Sequence, residues 1–535
     1  MADIKNNFFI TAFLLAVVMV VSIVSKFSLV YSIQIAIFLI LLTSTLFLLN
    51  NYKSKLNSYI LPSAALLIVC CISYANADFQ VNTRDYTFVL VSALFAGFNM
   101  TFLPLDMKKK IFFVPLFIAL WLAMMLFSRF VANPQSFLTV DNFYDAVALN
   151  INVIAGFLVL VYPLFFVFIK EKKNQNVFTV IMIFVLMAIV ITRCRVAIAV
   201  AFLLTLIFLL QYRKNNYIKI LICLFGLLLV ASIGYISFLK SDFNSLAERI
   251  VWWKTAYIIF KQNIFFGCGL GNYAVLFKTF RPELVLNTLF AHNIIMQFLA
   301  DTGIVGLLSF IALIASFYIK VIDRIIEEND NYFYIVIALS ITAFLIVNLI
   351  DYSFFVPANM LMFFVIMCSV FDAEPVKRTK QKMSVYILAV LVLYIGAVTI
   401  KPVIGHIHYK KGIEYYIQDQ YRLAIEEFEE AAKYDPKNPE YYTQLGKGYF
   451  ALYDMVRGDK GQEYADKSIA YNKKALELYK NSSQIRSYLA STYWNMGKKE
   501  EAIHYIKEAI VYDRFNPNLE EYLQMIEKNE LTAES

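Results

Sequence analysis

The sequence predicts an all-α protein in two parts: a polytopic transmembrane helical bundle of about thirteen spans, then an α-solenoid built from short helix-pair repeats. Three observations predict this. Hydrophobic residues make up 60% of the 535 positions and charged residues only 16%, a balance typical of chains surrounded by lipid rather than water. The apolar residues are gathered into uncharged runs, and a bilayer core takes roughly 20 residues of helix to cross. After residue 403 the texture changes: charge becomes dense, and Tyr and Ala recur at repeat spacing.

In chain order the runs lie near 8–25, 29–49, 58–75, 86–103, 111–128, 151–169, 177–191, 196–210, 217–238, 294–319, 332–350, 354–371 and 384–402. The first is read as a span rather than a cleaved leader, because no small-residue cleavage motif follows it. With the N-terminus inside, the inside loops are "NYKSKLN" (51–57), "DMKKK" (106–110), "KEKKNQN" (170–176), "QYRKNN" (211–216), "KVIDRIIEENDN" (320–331) and "DAEPVKRTKQKM" (372–383). Every one carries Lys or Arg, whereas the short outside loops hold little beyond Lys26, Arg84 and Arg129. Cytoplasmic loops collect positive charge, so this register predicts a cytoplasmic N-terminus. It leaves "TRCR" (192–195), the segment 239–293 and everything after residue 403 outside.

Within the tail, "GIEYYIQDQYRLAIEEFEEAAKYDPKNP" places Gly412, Tyr415, Ala424, Phe428, Ala431 and Pro436 at tetratricopeptide offsets, a pattern of roughly 34 residues. A second unit has Leu445, Gly446 and Tyr449 in phase, with an insertion around "VRGDKGQEYADK". A third has Tyr493, Ala502 and Ala509. Small Ala at the crossing lets paired helices approach, and about three such units suffice to bury a core. A protein partner is expected for these repeats.

Cys70, Cys71, Cys223 and Cys368 sit in apolar runs and read as packing residues. Cys194 and Cys268 lie beside loops, and no disulfide between them is expected. The chain has no HExxH, no paired-Cys motif and no acidic metal cluster, so neither a metal nor another cofactor is expected. Nor is there a nucleic-acid signature.

Charge is costly in a membrane, so ionisable groups at the outer ends of spans are where chemistry is sought. Three clusters stand out: Arg193 and Arg195; "AERIVWWKTAYIIFKQNIFFGCGLGNY" (247–273) with Arg249; and His292-Asn293 opening "AHNIIMQFLADTGIVGLLSF" (291–310). Each has a plain alternative. The arginines can snorkel to headgroups, and Arg249 with Trp252 and Trp253 can belong to an interfacial helix. His292 and Asn293 can cap a helix, and Asp301 with Gln297 can be a polar packing contact. "GCGLG" lacks a strand–helix setting for a dinucleotide and reads as a tight turn.

Taken together the clusters resemble the superfamily of O-antigen ligases, O-antigen polymerases and protein O-oligosaccharyltransferases. The resemblance rests on an Arg before an aromatic amphipathic segment, a G-x-G-x-G-N-like turn, and an H-N pair opening a span with an acid–T–G step. "ITRCRVAIAV" resembles the superfamily's S-R-x-a-x-x-a span start, with Arg195 at the matching place and Cys194 where Ser is usual. The resemblance covers roughly 180–372. It implies a transferase domain at 1–403, with 239–293 as its extracytoplasmic loop, and an extracytoplasmic repeat domain at 404–535. It also implies metal-independent transfer of a glycan from a polyprenyl diphosphate donor to a glycan, lipid or protein hydroxyl, at the outer face of a bacterial inner membrane. His292 would then be catalytic and Arg195 and Arg249 would bind the diphosphate. Arg193, Asn293, Gly269, Gly271, Asp301 and Arg281 are supporting candidates. A polysaccharide polymerase is the near alternative. A flippase would gather charge at the membrane midplane instead, and a non-catalytic scaffold would leave His292, Arg195 and Arg249 without a role.

Overall fold

The computed structural model describes residues 11–18 (without 16), 59–132 (without 78), 150–170, 175–212, 243–372, 400–456 and 459–528. Every regular element among them is a helix. The expected spans at 29–49 and 217–238 lie outside the described residues, as do most of 8–25 and 384–402.

The other expected spans each coincide with a helix. They are α1 (Ile60–Asn76), α2 (Gln80–Thr101), α4 (Phe113–Ala132, after the short α3, Leu105–Ile111), α5 (Ile151–Val161) running into α6 (Leu164–Lys170), α7 (Gln175–Ile191) and α8 (Arg195–Tyr212). After α9 (Phe243–Gln262) and α10 (Tyr273–Phe280) come α11 (Ile294–Glu327), α12 (Tyr332–Asn348) and α13 (Pro357–Cys368). By length and composition, Leu105–Ala132, Ile151–Lys170 and Ile294–Glu327 are long and apolar enough to cross a membrane. Most of the others are shorter apolar helices, and α2, at 22 residues, is long enough but too polar in composition, so the described residues do not establish the expected count of thirteen full spans. For α12 and α13 the reason is local. The Asn348 side-chain oxygen accepts from Phe354 N (2.7 Å) and Ser353 Oγ (3.2 Å), turning the chain at 349–356 and trimming both helices.

One apolar core runs through the bundle, with α5 and α6 most enclosed. Polar contacts gather at its two ends. At one, the buried Lys108 ammonium donates to Phe371 O (2.6 Å) and Asp372 Oδ1 (2.6 Å), Arg324 also pairs with Asp372, and Lys170 pairs with Asp330 (3.0 Å). Lys108, Lys170, Arg324, Asp330 and Asp372 come from four of the loops read above as inside.

At the other end sits the solenoid. Helix α14 (400–417) is followed by α15 (Tyr421–Tyr434), α16 (Pro439–Met455), α17 (Asp459–Leu478), α18 (Ser483–Asn495), α19 (Lys499–Tyr512) and α20 (Pro517–Lys528). Ala424, Phe428, Ala431, Ala502 and Ala509 are fully buried at the helix crossings. The insertion in the second unit is largely helical: it stretches α17 to 20 residues, against 14 in α15 and in α19. The turns after α15, α17 and α19 meet the bundle. Asp435 pairs with Arg84 (2.8 Å), Tyr479 Oη donates to Val275 O (3.1 Å), and Asp513 pairs with Arg281 (2.7 Å).

Candidate functional site

The site is assembled around a break in α11. That helix is interrupted at Gly303, whose φ of 67° and ψ of −169° no side-chain-bearing residue adopts comfortably. The broken turn frees backbone groups, and the Gly-rich segment 263–272 uses them. Ile304 N donates to Ile264 O (2.8 Å), while Cys268 N and Gly269 N donate to Ala300 O (2.9 Å) and Asp301 O (2.8 Å). The buried Asp301 carboxylate completes the joint. It accepts from Gly271 N (2.9 Å), Tyr273 N (3.1 Å) and Gln297 Nε2 (2.8 Å). Asp301, Gly269 and Gly271 therefore form one structural knot. No disulfide joins Cys194 and Cys268, and the Cys268 thiol donates to Asp301 Oδ1 (3.8 Å).

His292 immediately precedes Asn293, the cap of α11, with its backbone in the left-handed region (φ 51°). Its neighbour does the capping. Asn293 Oδ1 accepts from Ile295 N (2.9 Å) and Met296 N (3.1 Å), and its Nδ2 donates to Leu349 O (2.9 Å). The imidazole is thus released from the capping role. It packs between the Trp252 ring (centroids 4.4 Å apart) and the Tyr352 ring (4.6 Å). Its Nδ1 lies 3.9 Å from Asp351 Oδ1, with the side chains 13% and 7% exposed. Both His292 Nδ1 and Asp351 Oδ2 are buried without a hydrogen-bond partner, a costly arrangement that calls for a reason. Burial, and next the positive Arg249, push the imidazole down to about 3, so it is neutral at ordinary pH. Burial raises the Asp351 carboxyl to about 6, against the pull of Tyr352 N and Arg249.

Arg249 is carried here by α9, which buries Trp252, Ala256 and Ile259 along one face. Its Nε donates to Ile350 O (3.2 Å), beside Asp351. Arg193 and Arg195 flank Cys194 at the α7–α8 turn. The Cys194 thiol is pushed up to about 12, first by burial and then by Asp351, with Arg249 acting in the opposite direction. Arg281 goes elsewhere: it is buried against the repeat domain, paired with Asp513.

Asp351 and Tyr352 were not singled out from the sequence. A signal was present: Asp351 is the only charged residue in 332–371. An open apolar groove of about 260 Å³ starts beside this site, lined among others by Ile294, Ile295, Leu307, Phe310, Tyr318 and Leu349 between α11 and α12.

Residues 177–311, which contain the α7–α8 turn, α9, the Gly-rich knot and His292, match the O-antigen ligase family model. Residues 412–452 match a TPR repeat model and 489–516 a tetratricopeptide repeat model. No curated protein matches the chain. Among solved structures, the first TPR of Spaghetti (RPAP3) bound to HSP90 peptide SRMEEVD is 19% identical, covering 24% of this chain and 94% of that one, with a TM-score of 0.21. The chain thus carries an O-antigen ligase domain joined to C-terminal tetratricopeptide repeats.

Proposed function

We propose that the protein is a membrane glycosyltransferase of the O-antigen ligase kind, moving a glycan from a polyprenyl diphosphate to an acceptor hydroxyl at the outer face of the bacterial inner membrane. One observation carries this reading: the buried, unpartnered His292 Nδ1 lies 3.9 Å from Asp351 Oδ1, which also accepts from Tyr352 N, in a carboxylate whose Oδ2 has no partner, beside Arg249. In the reaction the acceptor oxygen attacks the anomeric carbon, the bond to the diphosphate oxygen breaks, and the diphosphate leaves with the electron pair. His292 Nε2 takes the hydroxyl proton. With a proton on Nδ1 directed at Asp351, Nε2 is the free acceptor, and the carboxylate stabilises the imidazolium as it forms. The 3.9 Å gap tightens when substrate seats, as catalytic contacts commonly do.

Arg249 and Arg195 grip the diphosphate, with Arg193 beside them. Guanidinium stays charged and matches phosphate oxygens with two parallel donors. It stabilises the developing negative charge without needing a metal ion. The apolar groove beginning at Ile294 suits the first isoprene units of the donor. Residues 1–403 form the transferase domain, with 239–293 outside, and residues 404–535 form an outer repeat domain that docks a protein partner. The separation of loop contacts into two ends of the bundle supports this orientation. The acceptor is a growing glycan, a lipid-linked core or a protein hydroxyl.

Glycan transfer by His292→Ala and His292→Asn, compared at equal membrane abundance, tests the reading. General-base loss predicts a fall of about 10²–10⁴-fold in both. Full activity in the Asn variant overturns it.

A further inference from the structure

Among the described residues the repeat domain meets the bundle at three turns, and of the three contacts named above the last falls on the strap 281–291 that runs into His292. Arg281 and Asp513 are 5% and 2% exposed, and their pair is reinforced from both sides. Arg514 donates to Arg281 O (3.1 Å) and Pro282 O (3.2 Å), and Thr279 Oγ1 donates to Tyr512 O (3.2 Å). The same Arg281 guanidinium donates onward to Val285 O (3.2 Å) and Asn287 Oδ1 (3.2 Å). One cation therefore ties the repeat turn to the middle of the strap 281–291. Trp252 Nε1 holds Leu286 O (3.2 Å), and Gln297 Oε1 accepts from Ala291 N (2.6 Å), next to His292.

Between these ties Leu284, Leu286 and Leu289 are 71%, 68% and 67% exposed, whereas Phe290 and Ala291, next to His292, are buried, Phe290 stacking on Tyr352 (centroids 4.9 Å apart). The exposed middle of the strap has no core and keeps its shape through its anchors. We propose that Asp513 is a positioning residue for His292, acting through Arg281: the repeat domain holds the strap, and the strap holds the imidazole against Asp351. The inference rests on the general-base reading of His292. It makes the repeat domain part of the catalytic unit rather than an appended docking module.

Diethyl pyrocarbonate labelling of the full-length protein in membranes, read residue by residue by mass spectrometry, tests this. The chain has four histidines, and His504, 63% exposed, is the internal reference. Asp513→Asn is isosteric but strands the buried cation, so His292 labelling relative to His504 should rise roughly tenfold, the worth of one charge-assisted hydrogen bond. Asp513→Glu keeps the charge and should bring labelling back towards the wild-type rate. A wild-type rate in Asp513→Asn overturns the proposal. Should that variant unfold the repeats, His408 will be released from Glu427 and will label faster too. Arg281→Lys then takes its place, with the same expected rise and the same overturning result. The labelling reads the surroundings of the ring and not turnover, so a failure of the general-base reading shows separately, in the transfer assay of His292→Asn.

Discussion

Asp301 and Asp351 are both buried carboxylates, and their partners set them apart. Asp301 is saturated: two backbone N–H groups and an amide donate to it. Asp351 keeps one oxygen unpartnered. The first therefore holds structure and the second is available to chemistry. Asp301→Ala strands three buried donors at about 1–3 kcal/mol each, a large part of a typical stability. Membrane abundance of that variant should collapse, while His292→Ala accumulates normally, as an immunoblot at matched expression would reveal. Asp351 also predicts a pH dependence. Transfer should rise with pH through about 6 as its carboxylate ionises, with no separate His292 step in that range, since the imidazole is already neutral. Stability runs the other way. The folded-state value lies above the ordinary 3.8, so the folded protein keeps the proton longer. The stability this group contributes is therefore present below about 4 and lost as pH rises towards 6. Asp351→Asn should flatten both profiles, and an unchanged rate limb near pH 6 would count against its role. The His-Asn pair, at the start of an apolar run, and Arg249, in an aromatic stretch, were legible in the sequence. Asp351 was not, because one Asp after an apolar run reads as an ordinary span terminus until its neighbour is known.

At the scale of elements, the helices were legible and the break in α11 was not. Apolar runs of sufficient length dictate helix, because every backbone group in lipid must be satisfied within the segment. A "DTG" step within such a run is compatible with a straight helix, so nothing local announces the kink. The partner strand of chain decides it: a Cβ on Gly303 would lie 2.4 Å from the Phe265 carbonyl carbon and oxygen. Gly267 faces it reciprocally, its would-be Cβ 2.4 Å from Asp301 C. Gly303→Ala therefore carries the backbone penalty of about 1–3 kcal/mol plus a collision with main chain that no rotamer relieves. Thermal stability of the detergent-solubilised variant, followed by size-exclusion chromatography, should drop sharply. A melting profile like that of the wild type would show that the Gly-rich turn does not need this close approach.

For the whole molecule, the expected topology puts the solenoid outside. An alkaline phosphatase fusion after residue 440 should be active, and a cytoplasmic reporter fused there should be silent. The reverse pattern would overturn the orientation read from the basic loops. The solenoid's existence was legible because repeat spacing is carried by the sequence itself. Its docking was not. Asp435 and Asp513 stand at equivalent turns, each four residues before a Pro, and look like ordinary turn residues. Only the folded arrangement brings them to Arg84 and Arg281.

The sequence by itself determined an all-helical chain, the boundary in texture near residue 403 and the repeat register, and it pointed to His292, Arg249 and Arg195 as ionisable residues close to apolar runs. These follow from composition, periodicity and short spacing, which act over a few turns of chain. Tertiary structure alone decided that Asp351 meets the His292 imidazole, that Asp301 knots the Gly-rich turn into a broken helix, and that Asp513 grips the strap. Each of these joins residues far apart in the chain or depends on a backbone angle set by a distant contact, so packing of the whole molecule, and no local preference, selects it.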